Sequence, residues 1–193
     1  MAEFPDNTRV VSFDDEPLVL VDAQDRELGF LDKAAAHRGR GILHRAFSLF
    51  VFDENGRLLL QQRAPGKRLW PGYWSNTCCS HPRRGESIES AIHRRLREEL
   101  GLEAALEFLY KFEYQAQYDD TGAEHELCWV YAGRSSAAPR VNRNEIAALR
   151  YLSAAQIDAE IASAPETFTP WFKLEWARIR REFPHWLRPA PAP

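Results

Sequence analysis

The stretch from Trp74 to Leu102, WSNTCCSHPRRGESIESAIHRRLREELGL, constrains this chain more than any other, because two periodicities meet in it. Its first third sets Cys79 and His81 two residues apart. In an extended segment that thiol and imidazole leave the backbone on one side, and Cys78 leaves on the other. The remainder has the period of a helix, with Ser87 as N-cap and Gly101 as C-terminal stop. Ile88, Ala91, Ile92, Leu96 and Leu100 make one apolar stripe. The opposite face carries Glu86, Arg94, Arg95, Glu98 and Glu99. Pairing of Arg94 with Glu98 and of Arg95 with Glu99 at i,i+4 would make it an ordinary solvated face.

The spacing of those charges resembles the Nudix box, which reads Gly, five residues, Glu, seven residues, Arg-Glu-aliphatic, one residue, Glu-Glu, one residue, Gly-aliphatic. Glu86, Arg94, Leu96, Glu98, Glu99, Gly101 and Leu102 fall in register with it. Ser80 stands where the first Gly belongs, and Arg95 stands where the Glu after Arg belongs. In Nudix hydrolases that Glu helps hold magnesium for diphosphate cleavage, whereas a cation there repels a metal and attracts a phosphate. The resemblance implies a helix inherited from pyrophosphate chemistry with its hydrolytic part altered.

Composition narrows the class. A chain of 193 residues, 45% hydrophobic, has enough apolar mass for one domain with a real core. The net charge of -3 argues against a general nucleic-acid or membrane-surface binder, so the Arg clusters are read locally. Three cysteines without a CxxC spacing point to free thiols in a reducing compartment. The N-terminus lacks the apolar core of a signal peptide, and no run reaches transmembrane length. A cytoplasmic protein, monomeric or a weak dimer, with a small-molecule partner is expected.

Along the chain, residues 1–16 read as a loose arm, Leu18–Val21 as a strand, Ala23–Arg26 as a turn with Leu28–Leu31 as the strand's continuation, and Asp32–His37 as a short helix. His37 and His44 are seven apart, and one helix would separate them by about 10 Å. Only a chain folding back at Gly39 and Gly41 would let both serve one ion. Asn55-Gly56 between two apolar runs predicts a hairpin of Leu43–Phe52 with Arg57–Gln62. Arg63 to Arg68 is a basic loop, and Trp70 and Trp74 bracket Pro71-Gly72. Leu106–Tyr118 and Glu124–Tyr131 read as paired strands, with Glu124, Glu126 and Cys128 on one face. Two carboxylates there are out of place in a core unless they bind something. Ile146–Leu152 reads as a strand and Ala154–Ser163 as a helix. An amphipathic helix opens after Pro170, and residues 187–193 read as a disordered tail. The expected fold is a single α/β (α+β) domain, a curved mixed sheet flanked by helices around one central site.

Taken together, NTCCSHP, the altered helix and AEHELCWV, supported by AAAHRGRGILHRAFS and TFTPWF, resemble the type I isopentenyl-diphosphate isomerases of the Nudix superfamily. The resemblance spans roughly Leu18 to Phe183. It implies a Nudix-type fold and metal-dependent interconversion of isopentenyl and dimethylallyl diphosphate. It also implies roles for particular residues. Cys79 and Glu126 would be the catalytic pair on opposite sides of the alkene, assisted by Tyr114 and Trp171. His37, His44, His81, Glu124 and Glu126 would hold a divalent metal, with manganese, magnesium and zinc all suited to three imidazoles and two carboxylates. Glu99 would help hold magnesium on the diphosphate, and Lys33, Arg63, Lys67 and Arg95 would face the diphosphate. A Nudix hydrolase of a nucleotide-like diphosphate would want Glu at position 95 and has no use for Cys79. A non-catalytic metal-binding Nudix module would leave Cys79, Glu126, Tyr114 and Trp171 unexplained.

Overall fold

Ala46 to Phe52 is apolar at every position but Ser48, and such a strand is stable only with both faces covered. In the computed structural model, which describes residues 8–191, that run is the centre of the sheet. The elements in order are β1 (Pro17–Val21), β2 (Glu27–Asp32), α1 (Lys33–Ala36), β3 (His44–Phe52), β4 (Leu58–Arg63), β5 (Trp74–Ser75), β6 (Cys78–Ser80), α2 (Ile88–Leu100), β7 (Leu106–Asp119), β8 (Gly122–Arg134), β9 (Ile146–Leu152), α3 (Ala154–Ser163) and α4 (Pro170–Glu182). β8 runs parallel to β3 from His44↔Glu126 to Phe52↔Arg134, whereas β6 and β1 pair with β3 antiparallel. The sheet is mixed, as expected for this fold.

Successive residues of β3 face opposite layers. Phe47, Leu49 and Val51 pack with Ala91, Ile92, Leu96 and Leu100 of α2. Phe50 and Phe52 pack with Phe172, Trp176 and Ile179 of α4. The helix α2 forms where its caps predict. Ser87 accepts the Ser90 N–H, and Gly101 takes the left-handed conformation at φ 58°.

Several expectations are corrected. The Asn55-Gly56 turn forms, with Gly56 at φ 74°, but β3 and β4 pair only at Phe52↔Leu58. β4 leaves to pair with β9 along its whole length, because β6 and β8 occupy the two edges of β3. The segment Leu28–Leu31 folds back antiparallel on β1. The arm is not loose over its described part. Val11 is buried, its carbonyl accepts from Arg95 Nη1 at 2.7 Å, and Glu16 pairs with Arg83 at 2.6 Å. Residues 1–7 lie outside the described residues. The tail is likewise docked as far as Ala190, whose N–H donates to Glu54 O at 2.8 Å, and Arg188 O accepts from Arg134 at 2.9 Å. Residues 192 and 193 lie outside the described residues.

One glycine ties the β7–β8 turn to α1. The Ala123 N–H donates to His37 O at 3.0 Å, and a Cβ on Gly122 would collide with that same carbonyl oxygen. Gly122→Ala is therefore expected to destabilise the fold by about 1–3 kcal/mol. It should also move His37 and lower bound metal. Denaturant midpoint and elemental analysis of the variant check the two effects.

Candidate active site

Two left-handed glycines bring the first two histidines together. Gly39 at φ 61° and Gly41 at φ 75° reverse the chain after α1, and Ile42 N–H closes the turn onto Ala36 O at 2.8 Å. The rings of His37 and His44 then lie 4.8 Å apart, with His81 4.9 Å from His44. Spacing alone left a shared ion open, and the fold meets its condition by bringing the two rings together. β8 adds Glu124 and Glu126. One ligand atom from each of these five residues falls within 4.8 Å of all the others.

The chemistry of the donors fits a divalent cation. His37 Nδ1 and His44 Nδ1 each sit 2.7 Å from a backbone carbonyl, of Lys33 and Ile42, which can only accept. Those bonds place the protons on Nδ1 and turn the Nε2 lone pairs inward. His44 Nε2 and His81 Nε2 face each other at 3.1 Å, and His81 Nε2 lies 3.0 Å from Glu126 Oε1. Burial and the neighbouring imidazoles lower the pKa of His44 to about 3 and that of His81 well below its usual value. Both rings are therefore held in the neutral form that a metal would need. Burial opposes the charged form of His37, but Glu124, 2.7 Å away, overrides it and raises that pKa. A bound cation would take the place of that proton.

Glu126 has two faces. Oε1 points at the imidazoles, and Oε2 accepts a 2.6 Å hydrogen bond from Tyr114 Oη. Burial, then the charge of Glu124, raises its pKa well above the usual carboxylate value. A carboxyl in this setting can carry a proton near neutrality.

Cys79 reaches the same cavity from β6. It pairs with Ser48 of β3, while Glu126 pairs with His44 of β3, so the central strand lies between them. Cys78 points into the α2 layer and is buried there, as the two-residue spacing predicted. Asn76 fixes the geometry from below. Its Nδ2 donates to Cys78 O at 2.8 Å, and its Oδ1 accepts from Trp171 Nε1 at 3.2 Å. One buried amide thus sets the positions of both the thiol strand and the indole. Burial pushes the Cys79 thiol up to about 12, against the pull of Arg63, whose Nη1 is 3.9 Å from Sγ. The resting group is a thiol.

Arg63 is aimed by a strained turn. Trp70 holds φ at 47°, a left-handed value that costs a non-glycine residue on the order of 1–3 kcal/mol. The turn directs the carbonyls of Leu69 and Trp70 at the guanidinium, which they meet at 2.9 Å and 3.1 Å. Arg63 Cζ lies 5.4 Å from the Trp171 ring centroid, and Trp70 meets Trp171 edge-on at 5.2 Å.

These groups line one cavity of about 380 Å³. Cys79, Glu126, Tyr114 and Trp171 lie on its wall, as do His37, His81 and Glu124, and Lys33, Arg63, Lys67 and Arg95 supply its cations. His44 stands behind the wall, completely buried. Glu99 is not on the wall. Its Oε1 is 2.5 Å from Arg95 Nη2, and it is buried on the α2 side of the sheet. The i,i+4 pairs of α2 do form, but Arg95 is 3% exposed, so this is no solvated face. Glu145, Ser12 and Asn144 also line the cavity and were not anticipated. A lone Glu in the loop before β9 gives no periodic signal.

The NUDIX domain family model matches residues 42–172. The fold is similar to that of DR0079 from Deinococcus radiodurans, with a TM-score of 0.72 at 26% identity over 86% of this chain and 100% of that one. It is also similar to a MutT protein from Methanosarcina mazei, with a TM-score of 0.62 at 19% identity over 72% of this chain and 94% of that one. The chain is a Nudix protein carrying a thiol, a carboxyl and a histidine–carboxylate cluster in one cavity. Its sequence is 45% identical over 166 residues to isopentenyl-diphosphate Delta-isomerase 1 of Photorhabdus laumondii, covering 85% of this chain and 94% of that protein. It is 46% identical over 156 residues to the isopentenyl-diphosphate Delta-isomerase of Nocardia farcinica, covering 80% and 89%. The chain belongs to the isopentenyl-diphosphate Delta-isomerase family.

Proposed function

We propose that the protein interconverts isopentenyl diphosphate and dimethylallyl diphosphate, with Cys79 and Glu126 as the proton-transferring pair. The observation that carries this is their placement on the wall of one cavity that Lys33, Arg63, Lys67 and Arg95 also line. An isolated alkene is a weak base, so its protonation develops tertiary carbocation character. One member of the pair gives a proton to the terminal alkene carbon. The other removes one from the carbon next to the oxygen-bearing carbon, so no net proton is consumed. The reverse reaction exchanges the roles. Tyr114 holds Glu126 Oε2, and the Trp171 face can stabilise the cation by up to ~2 kcal/mol when water is excluded.

A divalent ion held by His37, His44, His81, Glu124 and Glu126 would supply positive charge that favours the ionised form of Glu126. Manganese, magnesium and zinc all suit these donors. Lys33, Arg63, Lys67 and Arg95 would bind the diphosphate. Glu99 would reach a magnesium ion on the diphosphate only after releasing Arg95 to a phosphate oxygen. Three free cysteines support a reducing, cytoplasmic setting, and a monomer or weak dimer acting on a small molecule fits a site built within one chain. Among the described residues no helix is long and apolar enough to cross a membrane.

Incubation with isopentenyl diphosphate and magnesium tests the reading. Formation of an acid-labile allylic diphosphate is expected, and release of phosphate without it would favour a hydrolase. The position of Arg95 weighs against hydrolysis, because a cation occupies the place of a metal-binding Glu.

A pH effect follows from Lys33. Burial, with Lys67 and Arg95 nearby, lowers its pKa to about 8. Lys33 is charged below that value and loses its proton as pH rises through it in the free enzyme. The kcat/KM for the diphosphate substrate should therefore fall above about pH 8. Lys33→Arg, which stays charged, should move that fall upward in a pH–rate profile.

A further inference from the structure

We propose that Glu145 is a specificity-determining residue, whose carboxylate makes the cavity's cations accept a diphosphate only together with a divalent cation. This rests on the reading of those cations as the diphosphate site. Glu145 belongs to none of the motifs that mark the family resemblance. It is 3% exposed and nevertheless lines the cavity. Both ends of its peptide unit are fixed. Its N–H donates to Asn142 O at 3.1 Å, and its carbonyl accepts the Ala64 N–H at 2.9 Å. The carboxylate is therefore held in place by backbone and cannot leave with a mobile loop.

Its partners are the cations that a diphosphate needs. Glu145 Oε2 pairs with Lys67 and lies 3.4 Å from Arg95 Nη2. That same nitrogen contacts Glu99 Oε1 at 2.5 Å. Arg95 is thus shared by three carboxylates, since its Nη1 also meets Glu98 Oε2 at 3.4 Å, and Lys67 is taken by Glu145. Lys33 feels the field of Glu145 and is otherwise held by Ser12 Oγ at 2.5 Å and Glu16 at 3.9 Å. Arg63 lies apart from these pairs, against the Leu69 and Trp70 carbonyls and Trp171.

The charges decide what such a site accepts. Lys33, Lys67 and Arg95 are met by the carboxylates of Glu16, Glu98, Glu99 and Glu145, so their ion pairs leave no positive charge in excess. A diphosphate monoester brings about three negative charges at neutral pH, and a buried carboxylate stands among the cations it would use. With a divalent cation, the same ligand brings only about one net negative charge, and the repulsion from Glu145 falls with it. The buried negative charge thus weighs against the metal-free anion and costs the metal complex little.

Calorimetric binding of inorganic pyrophosphate to the full chain, with magnesium and in magnesium-free buffer, tests this. The wild type should bind far more weakly without magnesium. Glu145→Gln, nearly isosteric and with its backbone bonds intact, should bind metal-free pyrophosphate about ten-fold or more tighter than the wild type does. Its affinity ratio between the two buffers should shrink accordingly, and Glu145→Asp should keep the wild-type ratio. An unchanged ratio in Glu145→Gln overturns the proposal, as does an equal weakening in both buffers, which would mark Glu145 as a mere support for Lys67. A ratio that shrinks in Asp and Gln alike also overturns it, since the charge is then not the cause. Should the Gln variant not fold, Glu145→Ser removes the same charge and carries the same test. If the wild type binds pyrophosphate in neither buffer, the diphosphate reading itself fails, a result distinct from all of these.

Discussion

Cys79→Ser is expected to lower kcat by ~10²–10⁴, the usual range for loss of a positioned acid or base. The side chain keeps its size and its place beside Ser48, so folding and metal content should not change. What changes is the proton. Even with burial pushing its pKa up to about 12, the thiol remains within reach of an enzymatic proton transfer, whereas a serine hydroxyl does not. Cys78→Ser and Cys128→Ser should leave the chemical step nearly intact, because Cys78 packs on the α2 layer and Cys128 lies in the opposite core layer. Any effect of those two should appear in stability. Steady-state kinetics beside a denaturation curve separates the cases. Near-normal turnover by Cys79→Ser with full metal occupancy would show that the two-sided proton transfer is wrong.

His81→Ala is expected to strip the metal and most of the activity together. His81 Nε2 lies 3.1 Å from His44 Nε2 and 3.0 Å from Glu126 Oε1, so it links the imidazoles to the Glu126 carboxyl. Loss of an outer partner of a metal ligand commonly costs 10–100-fold in affinity, and loss of the ligand itself should exceed about 100-fold. Elemental analysis of the purified variant, with circular dichroism to confirm folding, measures this directly. Full occupancy in His81→Ala would remove His81 from the ligand set. Retained metal with lost activity would instead assign it to the reaction.

The parts legible in the sequence are those whose causes are local. Ser87, Gly101 and the stripe from Ile88 to Leu100 define α2, and the two-residue alternation separates Cys79 from Cys78. The pairing of β3 with β8 is parallel and joins residues some eighty positions apart, and no local pattern announces it. That pairing sets His44 beside Glu126. Spacing could state the condition for a shared ion, a reversal at Gly39 and Gly41, but could not show that it is met. The burial of Arg95 and Glu99 was illegible for another reason. A helical wheel shows which face carries the charges, not what covers it. Here the covering is Val11 from the arm and Glu145 with Asn142 from the loop before β9. Glu145 itself is a single acid in a turn, and only its tertiary partners distinguish it.

The alternation of Cys78 and Cys79 across β6 has a consequence for how this family can diverge. A substitution in the segment from Trp74 to His81 exchanges one side chain and leaves the others on their faces. Deleting or inserting a single residue there would slide the strand by one step against β3 and send every side chain to the other face. Cys78 would then take the cavity-facing position of Cys79, and His81 would turn away from the other imidazoles. In this segment length is under tighter constraint than composition. Surviving insertions should collect in exposed turns such as Asp119–Thr121, where β7 reverses into β8.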